Sequence, residues 1–296
     1  AIPLFTLAGF ILSESGAGNR LVRLFRAFFG WLPGGLTVAT VIVCAFFTTF
    51  TGASGVTILA LGALLSFVLI ENGSRPKFAH GLLTASGSIG LLFPPSLPII
   101  LYGVVAQTNI KHMFLGGVIP GFIMVITLSV MGVYSALRNR QPRTPFQVKE
   151  AVVSMGHSAG ELLLPAVIIV GYFSGLMTSV EAAAVSVLYT IVVEVFIHRD
   201  IKLRDLPKTA MKAVPIIGGV LIILTVARGL SYYIVDAEVP FRMSAWVEQH
   251  ISSKYLFLIL LNLALLATGC LMDIFSAIVV VAPLIIPLGE IFGIHP

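Results

Sequence analysis

From Thr84 to Gly103 the chain reads Thr-Ala-Ser-Gly-Ser-Ile-Gly-Leu-Leu-Phe-Pro-Pro-Ser-Leu-Pro-Ile-Ile-Leu-Tyr-Gly. The surrounding run, Leu82 to Val105, is long and apolar enough to cross a bilayer. Yet Pro94, Pro95 and Pro98 stand in its middle, and each removes a backbone donor and opposes a continuous helix. Ser86, Ser88 and Ser96 bring hydroxyls to the same depth. In hydrocarbon, freed backbone groups are tolerated only inside protein or against a watery cavity. A broken apolar segment therefore points to an ion or substrate site. The rival reading is a proline kink without a ligand.

Working outward, composition excludes an ordinary soluble domain. Charged residues are 10% of the chain, against about 25% in typical soluble domains, and the mean hydropathy is +1.03. The expectation is an all-α polytopic membrane protein. No cleavable signal peptide is visible. The chain opens directly into an apolar piece, Pro3 to Leu12, and closes in a loop-like stretch, so truncation at both ends is expected. Cys44 and Cys270 lie in apolar segments and read as small packing residues, with no disulfide framework or metal-ligand spacing. The net charge of +5 comes from short Lys and Arg clusters between apolar segments, so it indicates orientation and no nucleic-acid partner.

Residues 19–30 form an amphipathic surface helix, with Leu21, Leu24, Phe25 and Phe28 on one side. Arg20, Arg23 and Arg26 lie on the other, where they are expected to meet lipid phosphates. Residues 33–70 hold two short apolar arms, Leu36 to Phe47 and Val56 to Ile70, around the polar tip Thr48 to Gly55. That pattern fits a re-entrant hairpin; two thin tilted spans are the alternative. The broken segment 82–105 and a clean span, 113–137, follow. A polar linker, 138–160, carries Arg138, Arg140, Arg143 and Lys149 and reads as cytoplasmic.

Spans are expected at 162–177, 182–197 and 214–235, a second surface helix at 239–252 and a second hairpin at 255–288. Glu181 reads as a helix-start acid favoured by the helix dipole, the alternative being a functional intramembrane acid. Arg228 is expected to snorkel toward Asp236 and Glu238. Asp273 is the only charge between Lys254 and Glu290. A carboxylate at that depth costs about 2.5–3.5 kcal/mol on the insertion scale, which makes it a functional candidate.

Thr51-Gly52 and Thr268-Gly269 lie 217 residues apart, and the surface helices repeat at nearly the same offset. With the basic loops held in the cytoplasm, the two hairpins enter from opposite sides. The expected architecture is an inverted-topology repeat. Residues 1–137 form the first half, 138–160 the linker and 161–296 an incomplete second half. The counterpart of Pro94-Pro95-Ser96 would fall near position 311, about 15 residues past the end, by the repeat logic.

Several motifs in this order resemble the large membrane subunit of tripartite ATP-independent periplasmic (TRAP) transporters. They are Trp31-Leu32-Pro33-Gly34-Gly35-Leu36, Thr51 to Val56, Thr84 to Gly103, Leu164-Pro165-Ala166 with Ser174-Gly175, Thr178 to Ala184, and Gly269 to Asp273 with Pro283 and Pro287. The resemblance covers nearly the whole chain. It implies a bacterial inner-membrane permease that takes up an organic acid, such as a C4-dicarboxylate or sugar acid, by sodium symport. It also implies a periplasmic substrate-binding protein, a small membrane subunit and an elevator mechanism within the membrane lipid. Carried over, a first sodium site involves Thr51, Gly52, Ser54, Pro94, Pro95 and Ser96. A second involves Thr268 and Gly269 together with residues beyond this chain. Ser54, Ser96 and Asp273 are the candidates for substrate. Many relatives have Gly-Ser-Ser at the first tip where this chain has Gly52-Ala53-Ser54, so one hydroxyl is replaced by carbonyls or by Thr51.

Sodium is a hard cation that prefers oxygen, so no transition metal and no organic cofactor are expected. The alternative is a stand-alone sodium–carboxylate symporter or sodium–proton antiporter of similar architecture. An enzyme is not expected, because no His-Glu-x-x-His, Gly-x-Ser-x-Gly or paired intramembrane aspartates occur.

Overall fold

A computed structural model describes residues 1–142, 145–251 and 253–295, without the side chains of Ala227, Arg228, Ser231 and Val235. The expected environments of Arg143 and of the Arg228 side chain therefore lie outside the described residues. Among those residues there are helices and connections and no strand. The helices are α1 (Ile2–Glu14), α2 (Ala17–Phe29), α3 (Gly35–Thr51), α4 (Ser54–Glu71), α5 (Pro76–Ile89), α6 (Leu97–Val105) and α7 (Ile110–Arg138). They continue with α8 (Val148–His157), α9 (Ala159–Phe173), α10 (Ser179–Ile191), α11 (Leu206–Asp236), α12 (Val239–His250), α13 (Lys254–Leu271) and α14 (Ile274–Ile291). Among the described residues, six helical stretches are long and apolar enough to cross a membrane, and up to eight if two interrupted pairs each count as one. The polytopic all-α class expected from composition is thus observed.

The chain packs as two units. One comprises Ala1–Leu97 and Phe114–Pro215; the other comprises Pro98–Met113 and Ile216–Pro296. In the first, α3 lies among α1, α2, α4 and α5, and α1 also packs on α10. Phe5, Phe47, Phe50, Leu65 and Ile89 are among its fully buried side chains. The outer face of α7 is different: Ile119, Phe122, Ile126 and Val130 are all more than half exposed, as suits a surface that lipid solvates. In the second unit, α12 and α13 pack on α14. Val247, Ile251, Phe257 and Leu288 form one buried cluster in it, and the Phe257 and Phe292 rings stack at 4.5 Å.

Three expectations need correction. The polar tips are much shorter than the sequence suggests. Thr48 to Thr51 belong to α3, which breaks only at Gly52-Ala53. Thr268 to Leu271 belong to α13, which breaks only at Met272-Asp273. The reason is visible in the threonines: Thr49 donates to Ala45 O and Thr268 to Ala264 O, both at 2.8 Å, so their hydroxyls are satisfied inside the helix. As a result α4, α13 and α14 each reach 18 residues, and short arms no longer distinguish hairpins from paired spans.

The third correction concerns Arg20, which leaves the lipid face for a buried acidic cluster described below. Glu181 takes the structural role expected of it. Its carboxylate accepts from Thr178 N at 2.7 Å while its own N–H donates to Thr178 Oγ1 at 3.3 Å, a reciprocal cap on α10.

Candidate functional site

The interruption expected in residues 82–105 is present. α5 runs into a short 3-10 turn, Gly90–Leu92, and helix resumes only at Leu97. Between them lie Phe93, a cis Pro94–Pro95 bond, and Ser96. Ser96 is fully buried; its hydroxyl donates to Leu91 O at 2.5 Å and its N–H donates to Phe93 O at 3.0 Å. Both groups therefore tie the break back onto the preceding turn, and the serine oxygen keeps lone pairs for a further donor or a cation.

The first hairpin tip is brought to this break. Gly52 has φ +66°, the left-handed conformation that ends α3, and its N–H donates to Thr48 O at 2.9 Å. A β-carbon added there would lie 2.4 Å from Leu97 Cδ1, so the tip backbone rests directly on the start of α6. Gly90 makes a second close approach, since a β-carbon on it would sit 2.1 Å from Ala45 O of α3. Small residues let the break and the hairpin touch through their backbones.

Beneath the tip is a threonine relay that sequence reading missed. Thr51 and Thr57 hydroxyls lie 3.0 Å apart, Thr57 and Thr48 2.9 Å apart, and Thr48 lies 2.8 Å from Gly87 O. Thr48 is the donor toward both Thr57 Oγ1 and Gly87 O, and its single proton serves one of them at a time. The available signal was spacing: Thr48, Thr51 and Thr57 all face inward when the two helices are folded over Gly52. Ser86 is buried with its hydroxyl unpartnered, whereas Ser88 is exposed and donates to Ala85 O.

Two helix ends meet at the tip with opposite polarity. The last carbonyls of α3 lack intrahelical donors and carry partial negative charge. The first N–H groups of α4 carry partial positive charge, and no side chain caps them. The junction therefore offers oxygens to a cation on one side and N–H groups to an anion on the other. Of the expected first-site residues, Thr51, Gly52 and Ser54 form the tip, and Pro95 and Ser96 immediately precede the Leu97 on which it rests. Pro94 also lines an apolar groove of about 700 Å³ with Phe46, Thr49, Phe50 and Phe122.

The second candidate set is built differently. Thr268 and Gly269 lie in the final turn of α13. Asp273 caps α14, accepting from Phe275 N at 3.1 Å. Gly269 and Asp273 are exposed within this chain, so the packing around them is much thinner than at Thr51–Ser54.

A second polar centre was not anticipated. The Arg20 guanidinium meets Glu161 at 2.5 Å, Glu194 at 2.7 Å and Asp200 at 2.5 Å. Both glutamate side chains are 0% exposed. Gly16 N also donates to Asp200, at 2.8 Å. Burial works to raise the Asp200 carboxyl, but Arg20 and the Gly16 N–H outweigh it and hold it below the usual carboxylate range. Burial likewise opposes the Arg20 charge, and the three acids overcome it, raising its pKa. The missed signal was Glu161 and Glu194 themselves, two acids in otherwise apolar segments that require a cationic partner.

Comparison with known proteins yields consistent relatives. The family model for the tripartite ATP-independent periplasmic transporter, DctM component, matches residues 1–296. The C4-dicarboxylate TRAP transporter large permease protein DctM of Pseudomonas aeruginosa is 29% identical, over 100% of this chain and 70% of its own length. The protein of the same name in Vibrio cholerae is 31% identical, again over 100% and 70%. The 2,3-diketo-L-gulonate TRAP transporter large permease protein YiaN of Escherichia coli is 31% identical, with the same coverage.

Proposed function

Because the chain belongs to the DctM component family of tripartite ATP-independent periplasmic transporters, an inner-membrane family, we propose that it couples sodium entry to uptake of an organic acid. The relatives named for C4-dicarboxylates and for 2,3-diketo-L-gulonate suggest that the cargo is a carboxylate of that general kind. A periplasmic binding protein delivers it, and a small membrane subunit braces the permease. The hairpins move as re-entrant elements of an elevator, within two inverted halves, 1–137 and 161–296.

The observation that carries this reading is the first junction. The Gly52 tip lies on Leu97, beside the buried Ser96 and above the Thr51–Thr57–Thr48 relay. Thr51, Ser54 and Ser96 hydroxyls, with the end carbonyls of α3, supply the oxygens a sodium ion replaces its water with. Gly52 and Pro95 shape the backbone there. The uncapped start of α4 faces the cargo carboxylate. In the second half, Thr268 and Gly269 belong to a second sodium site and Asp273 to substrate binding.

Uptake of labelled acid into proteoliposomes containing this permease and its small subunit tests the reading. Transport is expected only with an inward sodium gradient and an added binding protein. Uptake that persists without the binding protein would instead identify a stand-alone carrier.

A further inference from the structure

Arg20 uses one oxygen of each glutamate, namely Glu161 Oε1 and Glu194 Oε2. The other two, Glu161 Oε2 and Glu194 Oε1, are buried with no hydrogen-bond partner, and His198 Nδ1 is unpartnered beside them. The imidazole nitrogen lies 3.5 Å from Glu161 Oε1 and 3.8 Å from Glu194 Oε2, too far for a hydrogen bond. Ser15 neighbours Glu194, but its single proton goes to Leu12 O at 2.8 Å. The cluster thus has unspent acceptors in a place where an unpaired carboxylate oxygen is costly.

It also lacks positive charge, since one guanidinium faces three carboxylates. One ligand atom each from Glu161, Glu194 and His198 all fall within 4.8 Å of one another. The local fold brings this about. The last turn of the α10 helix widens to π geometry over Val192–Ile197, with Asp200 N donating to Glu194 O at 2.9 Å, and so turns Glu194 and His198 toward the start of α9.

We propose that Glu161, Glu194 and His198 bind one divalent transition-metal ion of the zinc or manganese class, separate from the coupling sodium. A ring nitrogen with two carboxylate oxygens suits such an ion and suits sodium poorly. Two further charges bring Arg20 and the metal level with the three acids. Arg20 and Asp200 act as outer partners that hold the glutamates in place. The His198 side chain is 17% exposed and leaves an entry path. The bound ion ties the start of α9 to the end of the α10 helix, beside α2.

The test uses the assembled transporter, purified with a tag free of histidine, stripped with chelator and titrated with zinc or manganese alone. Bound metal is counted by elemental analysis after gel filtration. One equivalent per chain is expected in wild type, and His198→Ala should weaken binding about tenfold or more. His198 approaches the Arg20-bound oxygens at 3.5 and 3.8 Å without a hydrogen bond, so this variant is expected to keep the three Arg20 ion pairs, and an unchanged gel-filtration profile checks that its fold is kept. Glu194→Gln is expected to lower occupancy as well. Wild type that retains no metal, or no more than His198→Ala, would overturn the proposal and assign the missing charge to a proton.

Discussion

In metal-free protein, Arg20→Leu is expected to leave the permease poorly folded, costing about 3–5 kcal/mol, because it strands two fully buried carboxylates. Neutralising the two buried acids should rescue it. The triple variant Arg20→Leu, Glu161→Gln, Glu194→Gln leaves only the part-exposed Asp200 charged and should recover most of the loss. This asymmetry follows from desolvation: a buried ion pair gains little over neutral groups, but half of one is severely unfavourable. Thermal unfolding of detergent-purified protein, read by loss of the monodisperse gel-filtration peak, measures both. A single variant as stable as wild type would return Arg20 to the lipid surface. The cluster joins α2 to α9 and to the end of the α10 helix, so its failure should loosen the start of α2 against those two helices.

Gly52→Ala is expected to abolish uptake while leaving much of the fold intact. The added methyl faces two obstacles. The φ of +66° disfavours any L side chain, by about 1–2 kcal/mol. The new carbon would also lie 2.4 Å from Leu97 Cδ1 and 3.0 Å from Leu97 Cβ, so rotation of the leucine cannot clear it. The tip must lift from α6 by roughly an ångström, a misplacement that can cost about 100-fold in a positioned site. Gly55→Ala is the internal control. It lies on the same hairpin with nothing within 4 Å of the added carbon, and near-normal uptake is expected. Equal activity of the two variants would remove the tip from the transport site.

The sequence was most informative where an apolar run violates its own pattern. Prolines at 94, 95 and 98 locate the break in an otherwise helical segment, and Gly52 locates the first turn, because backbone constraints are written in those residue types. The same logic overextended the tips, since a threonine that bonds to the carbonyl four residues back is at home in a helix. The relay of Thr48, Thr51 and Thr57 spans a fold-back between α3 and α4, so no single-helix periodicity reveals it. Arg20 looked like an ordinary phosphate-facing arginine because its partners lie 141, 174 and 180 residues away. Only tertiary packing shows that an amphipathic helix has turned one of its cations inward.

At the centre of this account is the proposal that the junction where the first helix tip meets the proline break holds the coupling cation. Sodium activation of acid uptake in proteoliposomes, compared between wild type and Ser54→Ala, addresses it most directly. Loss of one cation-facing hydroxyl is expected to raise half-saturating sodium about tenfold, the size of a charge-assisted contact, with uptake recovering at high sodium. A superimposable sodium curve in the two proteins would contradict the account.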